Sequence, residues 1–184
     1  MQPFIVLGDH VVQPFTANGI PGEIVSVRTD RGRRVHAWRP NMALYVNPGG
    51  GHVNPQGAYF CHGFSLGTFS FRTAPNAGYS VMSGQSMVVV LADEYWKLGN
   101  VRGPGPLPMG PQARDLIVWW RGQDPIHSAL IAQPAVDRAG RLDISSTLVS
   151  SKTGTGIVRI SVPLAVVNAD YPTASLIELY RRVV

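Results

Sequence analysis

The stretch Ala58-Tyr59-Phe60-Cys61-His62-Gly63-Phe64-Ser65-Leu66-Gly67 decides the reading, because it carries the chain's single cysteine directly after its most glycine-rich segment. That segment, Asn47-Pro48-Gly49-Gly50-Gly51-His52-Val53-Asn54-Pro55-Gln56-Gly57, is predicted to be a long loop whose glycines let backbone approach a ligand. Local pattern leaves the following element open. Phe60 and Phe64 are spaced as on a helix, while Phe60, His62, Phe64 and Leu66 alternate as on a strand. Gly63 and Gly67 each lower helix propensity by roughly 1 kcal/mol, yet glycines four apart would let a helix press closely on a sheet. A helix opening at Cys61 has chemical meaning. An ordinary thiol titrates at about 8.5 and offers little thiolate at neutral pH. A helix N-terminus or a nearby imidazolium stabilises that anion, and a neighbouring backbone N–H can serve as an oxyanion donor. Taken alone, a lone cysteine is more often a small buried hydrophobe.

The totals set the frame. The 184 residues suit one domain, the hydrophobic share of 45% is enough for a core, and the charged share of 15% argues against a disordered chain. With one cysteine no internal disulfide can form, so packing must hold the fold. The twenty glycines and fifteen prolines point to a loop-rich, strand-containing protein. A net charge of +5 favours anionic partners, such as a cell-wall polymer. The densest basic cluster, Arg28, Arg31, Arg33, Arg34 and Arg39, brackets Thr29-Asp30-Arg31-Gly32 and reads as a solvated hairpin tip. No recognition helix or aromatic sheet motif accompanies it, so no nucleic-acid partner is expected. No stretch approaches the roughly 20 apolar residues of a membrane span, and the opening Gln2-Pro3-Phe4 is not a basic leader. The expectation is a chain made in the cytoplasm without a signal peptide.

Strands are predicted at Phe4–Leu7, Glu23–Arg28, Arg34–Trp38 and Ala43–Val46. A helix is predicted over Ser83–Leu98, with Ser83 as N-cap, an apolar stripe of Met87, Val90, Leu91 and Tyr95, and Gly99 as its stop. Gly103–Pro111 can only be loop. Leu116–Trp120, Ile126–Gln133 and Thr147–Lys152 read as consecutive antiparallel strands, joined at Arg121–Pro125 and around Asp137–Gly140. Gly156–Val167 supplies one or two more strands, and Ala174–Val183 reads as a closing helix.

A base for Cys61 must come from His10, His36, His52, His62 or His127. His62 is adjacent, but on a helix its side chain diverges by about 100°. His127 starts a strand after the polar turn Gly122-Gln123-Asp124-Pro125, where an imidazole can lean over a neighbouring helix.

The order Cys61-His62-Gly63-Phe64, then a helix ending near Tyr95-Trp96, then Asp115-Leu116-Ile117-Val118-Trp119-Trp120, then His127-Ser128-Ala129-Leu130-Ile131 resembles the NlpC/P60-like branch of papain-fold cysteine hydrolases. The match runs over roughly residues 58–155. Leu148-Val149-Ser150-Ser151-Lys152-Thr153-Gly154 is also similar, imperfectly, to a segment of some bacterial relatives. The resemblance departs at Arg114, where the family has glycine before the strand Asp, and residues 1–57 have no counterpart. It implies an α+β fold with a nucleophile helix on an antiparallel sheet. The chain then divides into an N-terminal β-rich extension at 1–57 and a hydrolase core at 58–184.

The implied site has Cys61 as nucleophile and His127 as base, within about 4 Å of each other, with substrate meeting Tyr59, His62, Gly63 and Trp120. Hairpin geometry adds a third residue. A two-residue loop closed by Asp137 and Gly140 sets Ser150 opposite His127, and a one-residue slip brings Lys152 there instead. Neither metal nor cofactor is expected. The implied activity is cleavage of an amide through an acyl-enzyme, by default in a peptidoglycan stem peptide. With no leader expected, this suggests an antibacterial toxin carried by a specialised secretion machine, with an immunity protein or secretion chaperone as partner. Two alternatives stand beside it. One is a papain-fold effector that cleaves or deamidates a protein. The other is a catalytically inactive carbohydrate- or protein-binding module using Trp38, Trp119 and Trp120 as a platform.

Overall fold

The computed structural model describes residues 10–17, 20–40, 61–66, 80–81, 84–153 and 158–183. In chain order the elements are β1 (His10–Ala17), β2 (Ile20–Arg28), β3 (Arg34–Pro40), α1 (Cys61–Leu66), β4 (Ser80–Val81), α2 (Gly84–Glu94), β5 (Tyr95–Asn100), β6 (Leu116–Arg121), β7 (Asp124–Gln133), β8 (Leu148–Lys152), β9 (Val158–Pro163), α3 (Leu164–Ala169) and β10 (Leu176–Arg182). They form a four-stranded sheet of order β1-β2-β3-β4 and a six-stranded sheet of order β5-β10-β6-β7-β8-β9. Every described pairing is antiparallel. The protein is therefore α+β, with few helices. The expected strands Phe4–Leu7 and Ala43–Val46, the loop 47–57 and Tyr59 lie outside the described residues.

The three strands read from 116, 126 and 147 onward are neighbours in the larger sheet, as β6, β7 and β8. The two-residue turn Gly122-Gln123 joins the first two, with Arg121 paired to Asp124 and Gly122 at φ 61. That left-handed angle is what a tight hairpin asks of glycine.

Two expectations fail at the ends of helices. The predicted helix to Leu98 stops at Glu94, and Tyr95–Asn100 is strand β5. Asp93 and Glu94 are drawn off by the β2–β3 hairpin, as described below. Gly99, read as a helix stop, instead lies in a β5–β10 bulge, where Leu179 pairs Gly99 and Tyr180 pairs Lys97. The predicted closing helix at Ala174–Val183 is strand β10, hydrogen-bonded on both sides. Leu176 and Tyr180 join one core cluster and Ile177 and Leu179 the other, which is the two-residue alternation of a strand. Propensity differences are tenths of a kcal/mol per residue. Burying each of these aliphatic side chains is worth about 1.5–3 kcal/mol, so packing wins. The segment read as one or two strands over Gly156–Val167 is β9 followed by helix α3.

The larger sheet is packed on both faces. One face meets α2 and the smaller sheet through Val25, Val27, Val35, Ala37, Met87, Val90, Leu116, Val118 and Trp120. The other meets α3 through Ile117, Trp119, Ala129, Ile131, Val149, Leu164 and Val167. The first cluster joins β2 and β3 to the 58–184 region, and β4 from that region pairs with β3. No break in the core falls at residue 57, so the N-terminal strands are part of the same packed body.

The basic hairpin tip is docked rather than merely solvated. Arg33 forks onto Asp93 with Nε 2.8 Å from Oδ1, Thr29 Oγ1 donates to the same carboxylate, and the Asp30 amide donates to Glu94 at 3.1 Å. Arg39 pairs Glu23 at 2.7 Å. At the other end of the sheet, buried Asp115 takes both Nε and Nη2 of Arg181, at 2.9 and 2.7 Å. Arg114, where the resembled family has glycine, sits at φ 75. The turn keeps the left-handed conformation without the residue that adopts it freely.

A non-glycine residue in that region costs about 1–2 kcal/mol, partly offset by the entropy glycine loses on folding. Arg114→Gly should therefore raise unfolding free energy by up to about 1 kcal/mol, while Gly122→Ala should lower it by about 1 kcal/mol. Urea titration of the two variants checks this, and a loss above about 1 kcal/mol in Arg114→Gly would show that the turn relies on the arginine side chain.

Candidate active site

Cys61 is the first residue of α1, and α1 lies across β7 and β8. The helix has six residues, too few to be stable alone. Its fastening is His62, whose buried ring bonds Ser128 Oγ through Nδ1 at 2.8 Å and the Pro125 carbonyl through Nε2 at 3.0 Å. The carbonyl only accepts, so Nε2 carries the proton and Nδ1 accepts from the serine hydroxyl. Burial holds this ring below the usual imidazole range and hence neutral. His62 was expected at the substrate. With both nitrogens taken and the ring enclosed, it positions α1 instead. Gly63 is buried within the same short helix.

The thiol of Cys61 is buried, which pushes its pKa up. Opposing that, nearby backbone N–H groups, of Ser128 first and then of His62 and Cys61 itself, and the Lys152 charge favour the ionised sulfur. The β7–β8 ladder runs to Ala129↔Ser151 at this end. Cys61 therefore meets β7 one residue beyond that last pair, at the residue next to His127.

His127 has no exposed surface. Its Nε2 lies 2.8 Å from Ser151 Oγ. The ring stacks on Tyr171 with centroids 4.1 Å apart and planes 14° apart, and Trp119 tilts against it at 5.1 Å. Burial, then the nearby His62 and Arg159, push its pKa down to about 3. Its Nδ1 is buried with no hydrogen-bond partner among the described residues, so the thiol–imidazole bond expected of a resting dyad is not formed. Alternation explains this. Ser128 faces α1, while His127 turns to the opposite face with Trp119 and Tyr171.

Ser150 does not orient the imidazole. It pairs with Leu130, and the hydroxyl on His127 is that of Ser151, opposite Ala129. A hairpin turn does form there, but one residue longer than the assumed two-residue loop, with Val136 bridged to Leu142 and the Asp137 amide donating to the Arg141 carbonyl, and a further turn follows in which the Asp143 carbonyl accepts from the Thr147 amide. Those extra residues move the register of β8.

Trp120 lies in the core cluster shared with α2 and borders a cavity of about 920 Å³ whose lining does not include Cys61. Trp38 and Trp119 are wholly buried and offer no platform. Gln85, Val88, Asp124, Glu178 and Tyr180 also line the cavity. Gly84, another wall residue, matters by its smallness: a Cβ there would fall 2.1 Å from Asp124 Oδ1. Buried Glu178 accepts from the Tyr180 hydroxyl at 2.5 Å and pairs with Lys97.

Sequence reasoning missed Ser151 and Tyr171. Neither carries a local signal, because each reaches the site only through strand register or the chain's return after α3. Among the described residues no group of three His, Cys, Asp or Glu side chains is placed to hold a metal ion. Chemically, the cluster offers a thiol with backbone donors, a neutral imidazole with one nitrogen to spare, and a buried cation.

The depressed pKa of His127 fixes a pH dependence of stability. Below the ordinary value of 6.5 the unfolded chain takes up a proton that the folded chain refuses until about pH 3. Stability is thus full above pH 6.5 and falls as pH drops toward 3, by about 1.4 kcal/mol per unit for this residue. His62 adds a loss of the same sign. Urea midpoints of wild type should decline between pH 6.5 and 4.5, and His127→Gln should show a shallower decline. Equal slopes would mean that His127 titrates normally.

Searches of protein-family models, curated proteins and solved structures found no match to this chain.

Proposed function

We propose that this protein is a cysteine-dependent amidase or peptidase with an NlpC/P60-type, papain-like catalytic arrangement. The observation that carries the reading is the pairing of two half-sites. Cys61 opens a helix with backbone N–H groups, that of Ser128 first, favouring its ionised form, and the residue next to Ser128 on β7 is a buried imidazole held by a hydroxyl. The protonation pattern is the one a base needs. If Nε2 of His127 carries its proton toward Ser151 Oγ, Nδ1 is the lone-pair nitrogen, and it is the one without a hydrogen-bond partner among the described residues.

In this mechanism the Cys61 proton passes to His127 Nδ1 as sulfur attacks the amide carbon. The tetrahedral oxyanion is met by backbone N–H groups near the helix opening, and the imidazolium returns its proton to the leaving amine. Water then attacks the thioester with His127 again as base. Thiol and imidazole are both uncharged at rest and face opposite sides of β7, so the mechanism requires the His127 ring to reach the sulfur round the Pro125 end of the strand. Ser151 and the Tyr171 ring hold the imidazole plane. The resemblance makes the peptidoglycan stem peptide the default substrate, and the net charge of +5 suits an anionic wall. Delivery by a specialised secretion machine, with an immunity partner, belongs to the same proposal.

One observation favours a second reading, a binding module without catalysis. The cavity beside Trp120 and Tyr180 is large enough for a small ligand and is separate from Cys61.

Incubating the protein with peptidoglycan sacculi and with protein substrates, and reading the products by mass, separates these readings. Cys61→Ala should abolish product formation while the melting temperature stays within a few degrees. His127→Ala should cost at least about 100-fold in kcat/KM. Turnover that persists in Cys61→Ala would overturn the hydrolase reading. Ligand retention without cleavage, lost in Trp120→Ala but not in Cys61→Ala, would establish the binding module.

A further inference from the structure

Like charges placed directly opposite one another on neighbouring strands destabilise a sheet. The β2–β3 hairpin nevertheless pairs Arg28 with Arg34. Opposed residues share a face of the ladder, and both arginines are exposed. Arg31, in the turn between the two strands, is exposed as well. The other face of the hairpin carries Val25, Val27, Val35 and Ala37 and is packed in the core cluster that includes Met87 and Val90 of α2.

Repulsion of this kind is ordinarily relieved by an acid or by a parting of the strands. Neither relief is present. The acids at this end of the hairpin are engaged: Asp93 takes the fork of Arg33, Asp30 faces Arg182 at 3.5 Å, and Glu94 accepts from the Asp30 amide. Glu23, at the far end of β2, pairs with Arg39. Among the described residues Arg28, Arg31 and Arg34 form no ion pair, and Arg28 donates to the Gly32 carbonyl at 3.0 Å. The tip is also clamped. Thr29 Oγ1 and Arg33 hold it to Asp93, and the Gly32 amide closes the turn on the Thr29 carbonyl at 2.8 Å. One rigid hairpin end thus carries three guanidinium groups whose charge no carboxylate neutralises.

We propose that this end of the hairpin is a docking site for an anionic phosphodiester polymer of the cell envelope, of the poly(glycerol phosphate) kind. Arg28 and Arg34 share one phosphate and Arg31 reaches the next. The chemistry selects phosphate over carboxylate. A planar carboxylate is filled by a single guanidinium fork, as Asp93 is by Arg33 and Asp115 by Arg181. A tetrahedral phosphate holds its oxygens out of one plane and accepts from arginines on two sides. The face also suits a polymer without bases. The indole of β3, Trp38, is wholly buried, so no broad ring is offered for a base to stack on, and α2 lies behind the hairpin rather than on this face. The partner's charge complements the net charge of +5. These strands lie outside the stretch that carries the family resemblance, and the site is independent of whether Cys61 reacts.

The test is calorimetric titration of the full chain with purified poly(glycerol phosphate) at about 50 and 200 mM salt, with random-sequence duplex DNA as a second arm. Wild type should bind the polymer, and more weakly at the higher salt. Arg28→Gln/Arg34→Gln should bind at least about tenfold more weakly at the lower salt, with a shallower salt dependence, because two phosphate contacts are lost. Its melting temperature should hold or rise, since a repulsive pair has gone. The single variants Arg28→Gln and Arg34→Gln should each lose about threefold, which keeps the test decisive if the double variant is unstable. Arg102→Gln/Arg138→Gln removes the same two charges from exposed positions outside the hairpin and should stay within about twofold of wild type. No binding of the polymer by wild type, equal losses in the two double variants, or tighter binding of duplex DNA than of the polymer would overturn the proposal. None of these outcomes bears on hydrolysis, which is judged by product formation in Cys61→Ala.

Discussion

The buried imidazole of His62 is the interaction on which the candidate site depends. A six-residue helix has too few internal hydrogen bonds to hold its own direction. Two bonds from one ring, to Ser128 Oγ and to the Pro125 carbonyl, pin it to β7. Because both anchors are on one strand, the helix can neither slide along nor rotate over the sheet without stranding a buried polar group, at a cost of about 1–3 kcal/mol. The placement of the Cys61 sulfur at the Ser128 amide follows from that fixation. So does its distance from solvent.

The electrostatics of the site are those of a dry interior. Both histidines are held neutral, Tyr171 is held neutral, and the thiol is pushed toward its protonated form. Each shift has burial as its largest cause. In such surroundings a single charge reaches further than in water. The many basic residues responsible for the net charge of +5 are mostly engaged elsewhere, Arg33 on Asp93 and Arg181 on Asp115 among them.

Sequence reading reached the elements whose signal is local. The hairpin within Arg121–Pro125 and the strand quality of Leu116–Trp120 follow from turn chemistry and β-branched and aromatic runs, whereas the pattern around Cys61 fitted helix and strand alike. It failed where tertiary partners decide. The segment Ala174–Val183 has both a helical and an alternating pattern, and only the two flanking strands choose between them. Ser150 was chosen over Ser151 because strand register depends on every residue between the strands, and the turn at Asp143–Thr147 left no mark that hairpin counting could use. Tyr171 stacks on His127 across more than forty residues of chain, a relation with no trace in any window of sequence.

The position of β10 has a consequence for how the molecule comes into being. β5 and the block β6–β9 share no described strand pairing with each other; β10 is the slat between them. It is synthesised after all of its neighbours. Until it arrives, the edge strand β5 is separated from the rest of the larger sheet, with two open edges and the apolar faces around Leu116, Ile117 and Val118 only partly covered. Closure of the gap is a single late event joining residues about sixty positions or more apart, Ile177 to Trp119 and Arg182 to Tyr95. Such non-local closure is slow. Until β10 is in place, the facing edges of β5 and β6 are open to pairing with other strands.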